Sequence, residues 1–156
     1  MADDIPKQYL TFRLGNECFA LESLVVSEVL DVLPITWVPL APGHLRGVVN
    51  LRGNAATVVD LRSKLELTDA DAGEASCLVI VERDFDGETI AVAALADDVY
   101  EVVEIAPADI APPPDMGLAV PPRFVKGLAK VGGGFVMVLD PDRLFSLEEL
   151  AAHQRP

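Results

Sequence analysis

The chain has 156 residues, of which 51% are hydrophobic, enough for one ordinary domain or two small ones packed together. Its 12 Lys and Arg against 25 Asp and Glu give a net charge of -13, the wrong sign for binding nucleic acid or an anionic membrane. The longest apolar run, Ile90 to Ala96, is far too short to span a membrane. The given N-terminus shows no positively charged stretch followed by an apolar one, the pattern of an export signal. We therefore expect no nucleic-acid partner, no direct membrane insertion and no export.

Short runs of β-branched and aliphatic residues, separated by Gly, Pro, Asn and Asp, recur along the chain and predict a mainly β protein. In chain order, the predicted strands are Gln8 to Leu14, Glu17 to Leu21, Gly47 to Leu51, Ala55 to Asp60, Cys77 to Arg83, Glu88 to Ala94, Gly127 to Val131 and Phe135 to Asp140. The turns between them contain glycine, which predicts hairpins. The triple glycine at 132–134 is one such turn, because no Lys-Ser or Lys-Thr follows it as in a phosphate loop.

A long internal repeat organises the sequence. The segment Arg46 to Gly53, followed by Val58-Val59-Asp60, recurs as Lys126 to Gly133, followed by Val138-Leu139-Asp140. A unit of this size used twice predicts two similar small barrels packed together. Asp60 and Asp140 end equivalent strands, so we expect each to cap a turn.

Three of the segments outside the predicted strands have features of their own. The polar stretch from Leu67 to Ala75 is the predicted link between the barrels. The segment from Ala106 to Pro122 contains six prolines, which predicts an ordered or extended loop. Ser146-Leu147-Glu148-Glu149 is typical of a helix N-terminus and predicts a short C-terminal helix.

Residues with catalytic or metal-binding chemistry are sparse. Cys18 and Cys77 have no second thiol or histidine at metal-ligand spacing, so we expect two buried, reduced thiols. His44 and His153 are the two histidines, too few for a histidine-rich metal site. We expect no catalysis, no bound cofactor and no metal.

The region around the first copy of the repeat resembles a known family. Gly47 to Asn54, continued by Val58 to Arg62, resembles the central motif of CheW-like domains. The other matching pieces, in the order of that family, are Tyr9 to Gly15, Phe19 to Leu21, Val26 to Val29, Ile35 to Pro39, Ala96 to Val102 and Phe124 to Leu128. The resemblance covers about residues 8–146 as one domain, with subdomains at about 8–67 and 76–146 and a tail at 147–156.

The resemblance implies a fold and a function. The implied fold is two five-stranded SH3-like barrels around a shared hydrophobic seam. The implied function is that of a non-catalytic, cytoplasmic adaptor. Such an adaptor couples the tips of chemoreceptors to the regulatory domain of a CheA-type histidine kinase, in arrays at the inner face of the membrane. A kinase carrying this module would need a much longer chain, so we expect a free-standing adaptor.

Carried over residue by residue, the resemblance also implies two kinds of contact. Val26, Glu28, Arg52 and Val99 match the receptor-binding groove, where Glu28 and Arg52 can form a forked ion pair. An ordinary core position is the alternative for Val26. Ile35, Val38, Pro112 and Met116 match kinase-binding positions, with a partnerless exposed loop as the alternative around Pro112 and Met116.

Two other functions remain open on the sequence alone. The seam between the barrels is a candidate pocket for a small molecule, since concave apolar seams are common binding sites. An enzyme is the third candidate, and it would have to use His44.

Overall fold

The computed structural model describes residues 5–31, 36–37, 45–67, 77–85, 87–114, 117–118 and 120–145. Its strands and helices are β1 Lys7–Leu14, β2 Glu17–Glu22, β3 Val26–Asp31, β4 Thr36–Trp37, β5 Leu45–Leu51, β6 Asn54–Asp60, α1 Leu61–Lys64, β7 Cys77–Phe85, β8 Glu88–Ala96, β9 Asp98–Ile105, β10 Ile110–Ala111, β11 Val125–Val131, β12 Gly134–Leu139 and α2 Pro141–Leu144. Within these ranges, no helix is both long and apolar enough to cross a membrane. The helix expected after Ser146 lies outside the described residues.

The strands form two six-stranded sheets of matching design. Sheet 1 has the order β4-β5-β6-β8-β7-β3, and sheet 2 has the order β10-β11-β12-β2-β1-β9. The predicted mainly β fold with two similar subdomains is confirmed. Each sheet has one strand more than the five expected, because a strand of two residues, β4 or β10, adds to its edge.

The sheets divide the chain differently from the predicted subdomains. Sheet 2 joins the hairpin β1–β2 to β9–β12, whereas sheet 1 joins β3–β6 to the hairpin β7–β8. In each sheet, one parallel strand pair connects the two parts of the chain: β12 with β2 in sheet 2, and β6 with β8 in sheet 1. The repeat is therefore present in the predicted order, but its two halves exchange their first hairpins. The limits 8–67 and 76–146 do not bound the sheets, because apolar strand patterns indicate burial without specifying which strands pair.

The expected seam is present between the sheets. Strands in the middle of each sheet are buried on both faces and divide their side chains between two clusters. In β7, Leu78 and Ile80 belong to a cluster within sheet 1, while Val79 and Val81 belong to a cluster shared by both sheets. Phe12 and Phe19 of sheet 2 stack in that shared cluster, with ring centroids 5.9 Å apart. Below, the shared cluster is called the seam.

The predicted turn chemistry is confirmed at both copies of the repeat. Gly132 and Gly133 have φ angles of 55° and 86° in the turn between β11 and β12. The side chain of Asp60 accepts hydrogen bonds from the backbone amides that begin α1, and the side chain of Asp140 does so at α2. These caps end each β-hairpin with the same change of chain direction.

Candidate functional site

The edge strand of sheet 1 carries two valines on the face that covers the seam. Val26 lies opposite Val81 and Val29 lies opposite Val79 in the pairing of β3 with β7. Directly paired residues project from the same face of a sheet, and both β7 residues belong to the seam. Val26 and Val29 therefore extend the seam to the edge of sheet 1.

The edge strand of sheet 2 repeats this arrangement. Val99 lies opposite Phe12 and Val102 lies opposite Leu10 in the pairing of β9 with β1, and both β1 residues belong to the seam. A register shift interrupts the pairing of β9 just as one interrupts that of β3. Neither strand was among those predicted, since polar residues break up their apolar pattern.

These four valines form what we call the seam rim, and their exposure differs along each strand. Val26 and Val99 are half-buried and pack against the seam, so part of the surface of each remains accessible. Val29 is 39% exposed and Val102 is 52% exposed. The seam rim thus offers apolar surface at the edges of both sheets, which a helical partner can bury.

Beside the seam rim, Glu28 and Arg52 form the predicted ion pair. Nη2 of Arg52 donates to both carboxylate oxygens of Glu28, at 2.6 Å and 2.7 Å. The pKa of Arg52 is raised, first by this hydrogen bond and then by the negative charge of Glu28. Arg52 is exposed and Glu28 is half-buried. An exposed ion pair of this kind adds little to the free energy of unfolding. Its role is therefore better tested by measuring partner binding than by measuring stability.

Arg52 occupies a turn position that ordinarily favours glycine. Its φ angle is 52°, in the left-handed region, and it is followed by Gly53 at 88°. Oδ1 of Asn50 accepts a hydrogen bond of 2.8 Å from the amide of Gly53 and supports the turn. The equivalent position in the second copy is Gly132, with a φ of 55°. The first copy thus keeps an arginine where glycine is easier to accommodate, a pattern common at functional positions.

A buried carboxylate, which the sequence reasoning missed, lies where the chain passes from sheet 1 to sheet 2. Asp97 stands between β8 and β9, and its side chain is only 3% exposed. It accepts a 2.5 Å hydrogen bond from the amide of Gly15 and is bonded to Nη2 of Arg62. Arg13 lies 3.8 Å from the same carboxylate. These contacts link the β1–β2 turn of sheet 2 to α1 beside sheet 1. A signal was present in the two aspartates, Asp97 and Asp98, that directly follow the apolar run of β8.

The remaining predicted residues are only partly described. Pro112 is exposed and follows β10, whereas Ile35, Val38, Met116 and His44 lie outside the described residues. Cys18 and Cys77 are not joined in a disulfide, and both are half-buried rather than buried, because each lies near a strand end. Among the described residues there is no group of three or more His, Cys, Asp or Glu side chains able to hold a metal ion.

Comparisons with known proteins match this architecture. The family model of the CheW-like domain matches residues 8–149. The chain is 26% identical to "Chemotaxis protein CheW" of Klebsiella aerogenes, covering 96% of this chain and 87% of that protein. It is also 26% identical to the protein of the same name from Rhizobium meliloti, covering 94% and 92% of the two chains.

A solved structure agrees with the family model and with the two sequence comparisons. The crystal structure of the scaffolding protein TtCheW from Thermoanaerobacter tengcongensis superposes with a TM-score of 0.78 at 29% identity. The match covers 93% of this chain and 91% of that one.

Proposed function

This chain belongs to the CheW-like domain family, and we propose that it is an adaptor coupling chemoreceptors to a CheA-type histidine kinase. Its similarity to a scaffolding protein and to chemotaxis proteins supports this role. In this role it works by docking and carries out no reaction of its own. It acts in the cytoplasm and is recruited to receptor arrays at the inner face of the membrane.

The observation that carries the proposal is the Glu28–Arg52 pair beside the seam rim. In our proposal, the helical tip of a receptor packs apolar side chains against Val26 and Val99. Val29 and Val102 extend this contact, since both remain exposed in the free protein. The pair sets the position of the tip, because a guanidinium already oriented by a carboxylate presents its remaining N–H donors in a fixed direction.

We assign the kinase contacts to two separate surfaces. Pro112 and Met116 form one, in the proline-rich segment after β10, and the exposure of Pro112 supports this assignment. Ile35 and Val38 form the other, and in sequence they flank β4, the edge strand of sheet 1. With separate surfaces for kinase and receptor, one adaptor can hold both partners at once.

The sensor alternative is not supported. A ligand between the sheets would have to displace side chains that already fill the seam, including the stacked pair Phe12 and Phe19. Separating such tightly packed side chains costs contact energy that a small ligand would need to recover. Known relatives are named as chemotaxis proteins, which also favours the adaptor.

The proposal is tested by binding assays with the purified chain. The partners are the regulatory domain of the kinase from the same organism and a receptor signalling-tip fragment, each measured by calorimetry with wild type and Arg52→Ala. We expect wild type to bind both partners and the variant to lose affinity chiefly for the receptor fragment. Failure of the folded wild type to bind either partner would overturn the adaptor assignment.

A further inference from the structure

Each residue of the Glu28–Arg52 pair has a counterpart in the second copy of the repeat. Glu28 lies opposite Ile80 of β7, just past the register shift of β3. In β9, Glu101 occupies the same place, because it directly precedes Val102 at the register shift just as Glu28 directly precedes Val29. Its backbone amide donates to the Thr11 hydroxyl of β1 at 3.2 Å, and its carbonyl accepts from that hydroxyl at 2.7 Å. The pairing thus makes Glu101 the equivalent of Glu28.

The second copy has the carboxylate but not the arginine. Gly132 stands where the first copy has Arg52, and the φ angles of the two residues differ by little, at 55° and 52°. Among the described residues, no ion pair involves the carboxylate of Glu101, which is exposed. An exposed carboxylate therefore lies at the strand position that binds a guanidinium in the other half of the molecule.

The surroundings of Glu101 suit a partner that is both basic and apolar. Asp98 and Glu104 are also exposed on β9, and the strand has no basic residue. Tyr100, next to Glu101, is 50% exposed and presents an aromatic ring on which a guanidinium can stack. The backbone contacts to Thr11 hold this part of the strand in place, so little ordering is needed on binding.

We propose that Glu101 binds an arginine of a protein partner, in the place that Arg52 takes beside Glu28 within the chain. The partner supplies the guanidinium that the second copy of the repeat lacks, and Tyr100 packs against it. This inference goes beyond the adaptor function and does not depend on it, because it follows from comparing the two halves of one molecule.

The experiment uses the ¹⁵N-labelled full chain and N-acetyl-arginine amide as the probe, followed by NMR chemical shifts. We expect shifts in the amides of residues 99–103 and in the turn of Gly132 and Gly133. The citrulline analogue, which has the same shape without the charge, should bind roughly two- to fivefold more weakly, as expected for an exposed ion pair. Equal affinity for the two probes would overturn the proposal.

Three variants locate the site. Glu101→Gln should abolish the local shifts, whereas Glu104→Gln, which removes a charge from the same strand, should keep them. Gly132→Arg should also abolish them, because it supplies the arginine within the chain, and a Cβ atom added at Gly132 would meet no other atom within 4 Å. Shifts that persist in Glu101→Gln, or that spread evenly over exposed carboxylates, would show non-specific binding and overturn the proposal.

A fourth variant tests the equivalence of the two halves. Arg52→Gly removes the internal guanidinium and should create a second arginine-dependent set of shifts around Glu28. The absence of this second set, with Glu28 still folded in β3, would contradict the comparison on which the proposal rests.

Discussion

The carboxylate of Asp97 and the amide of Gly15 are joined by a 2.5 Å hydrogen bond across 82 residues of sequence. Asp97 is the single residue between β8 of sheet 1 and β9 of sheet 2. Gly15 lies in the turn between β1 and β2. The bond therefore connects this hairpin of sheet 2 to the residue at which the chain passes from sheet 1 to sheet 2. With Arg62 on the same carboxylate, one buried charge adds a polar link between the two sheets to the packing of the seam.

Replacing Asp97 by alanine should lower the free energy of unfolding by about 3 kcal/mol, because it takes the buried carboxylate away from Arg62 and the Gly15 amide. Urea denaturation followed by circular dichroism measures the change. The matched control is Asp98→Ala, which removes the adjacent exposed carboxylate and should change stability by less than about 0.5 kcal/mol. Similar losses in the two variants would contradict a specific role for Asp97.

Truncating Phe12, one of the two stacked rings in the seam, should lower the free energy of unfolding. Phe12→Ala should destabilise the fold by about 3 to 5 kcal/mol, because Phe12 is fully buried against side chains of both sheets. Phe135→Ala is the control, since that ring is 69% exposed, and it should leave the unfolding midpoint nearly unchanged. If thermal unfolding shifted equally for both variants, the assignment of Phe12 to the seam would be wrong.

Gly127 is needed for the close approach of β10 to β11. A Cβ atom at Gly127 would lie 2.3 Å from the carbonyl oxygen of Ala111 and 2.5 Å from Cγ2 of Ile110. Gly127→Ala should cost about 1 to 3 kcal/mol of stability and, by displacing β10, weaken binding of the kinase domain. In the control Gly134→Ala, the nearest atom to the added Cβ lies 4.0 Å away. Unchanged stability and kinase affinity in Gly127→Ala would refute this account.

The turn at Arg52 allows binding and folding to be separated. Arg52→Gly should lower affinity for a receptor tip about tenfold, as for an interface arginine. The same change should not lower the unfolding temperature, because glycine adopts the left-handed conformation without strain. Arg52→Ala should lose the same affinity but unfold at a lower temperature than Arg52→Gly. Calorimetry and thermal unfolding check the two effects, and retained affinity in both variants would remove Arg52 from the receptor site.

Stability should fall at alkaline pH through Tyr9. Burial raises the pKa of Tyr9 above its usual value of 10.0, and the charge of Glu22 raises it further. Above that value the unfolded chain loses the phenolic proton while the folded protein keeps it, so unfolding becomes easier as pH rises. Tyr9→Phe should reduce the fall in unfolding free energy above a pH of about 10, measured by urea titration at several pH values. An unchanged alkaline slope would contradict the prediction.

Local chemistry accounts for what the sequence predicted well. Hairpins followed from the glycines at 53 and 132–134, most of which adopt left-handed conformations that are easy for this residue. The caps at Asp60 and Asp140 followed from short side chains at strand ends. The Glu28–Arg52 contact came from the family resemblance.

Long-range pairing accounts for what was missed. The parallel pairs β12 with β2 and β6 with β8 depend on which buried strands meet, and an apolar strand suits either neighbour. β3 and β9 were missed because one side of each is solvated and their apolar residues are interrupted by Glu28 and Glu101. The role of Asp97 depends on two partners distant in sequence, so it emerges only once the sheets are assembled.

The exchanged hairpins impose an order on folding during synthesis. When Ala96 has left the ribosome, every strand of sheet 1 is present, while the hairpin of β1 and β2 still lacks its neighbours β9 and β12. That first hairpin has to wait, with one apolar face open, until β12 emerges nearly at the end of the described chain. At elongation rates of about 5 to 20 residues per second the wait lasts several seconds, a period in which a chaperone or the hairpin of a second nascent chain can occupy the open face.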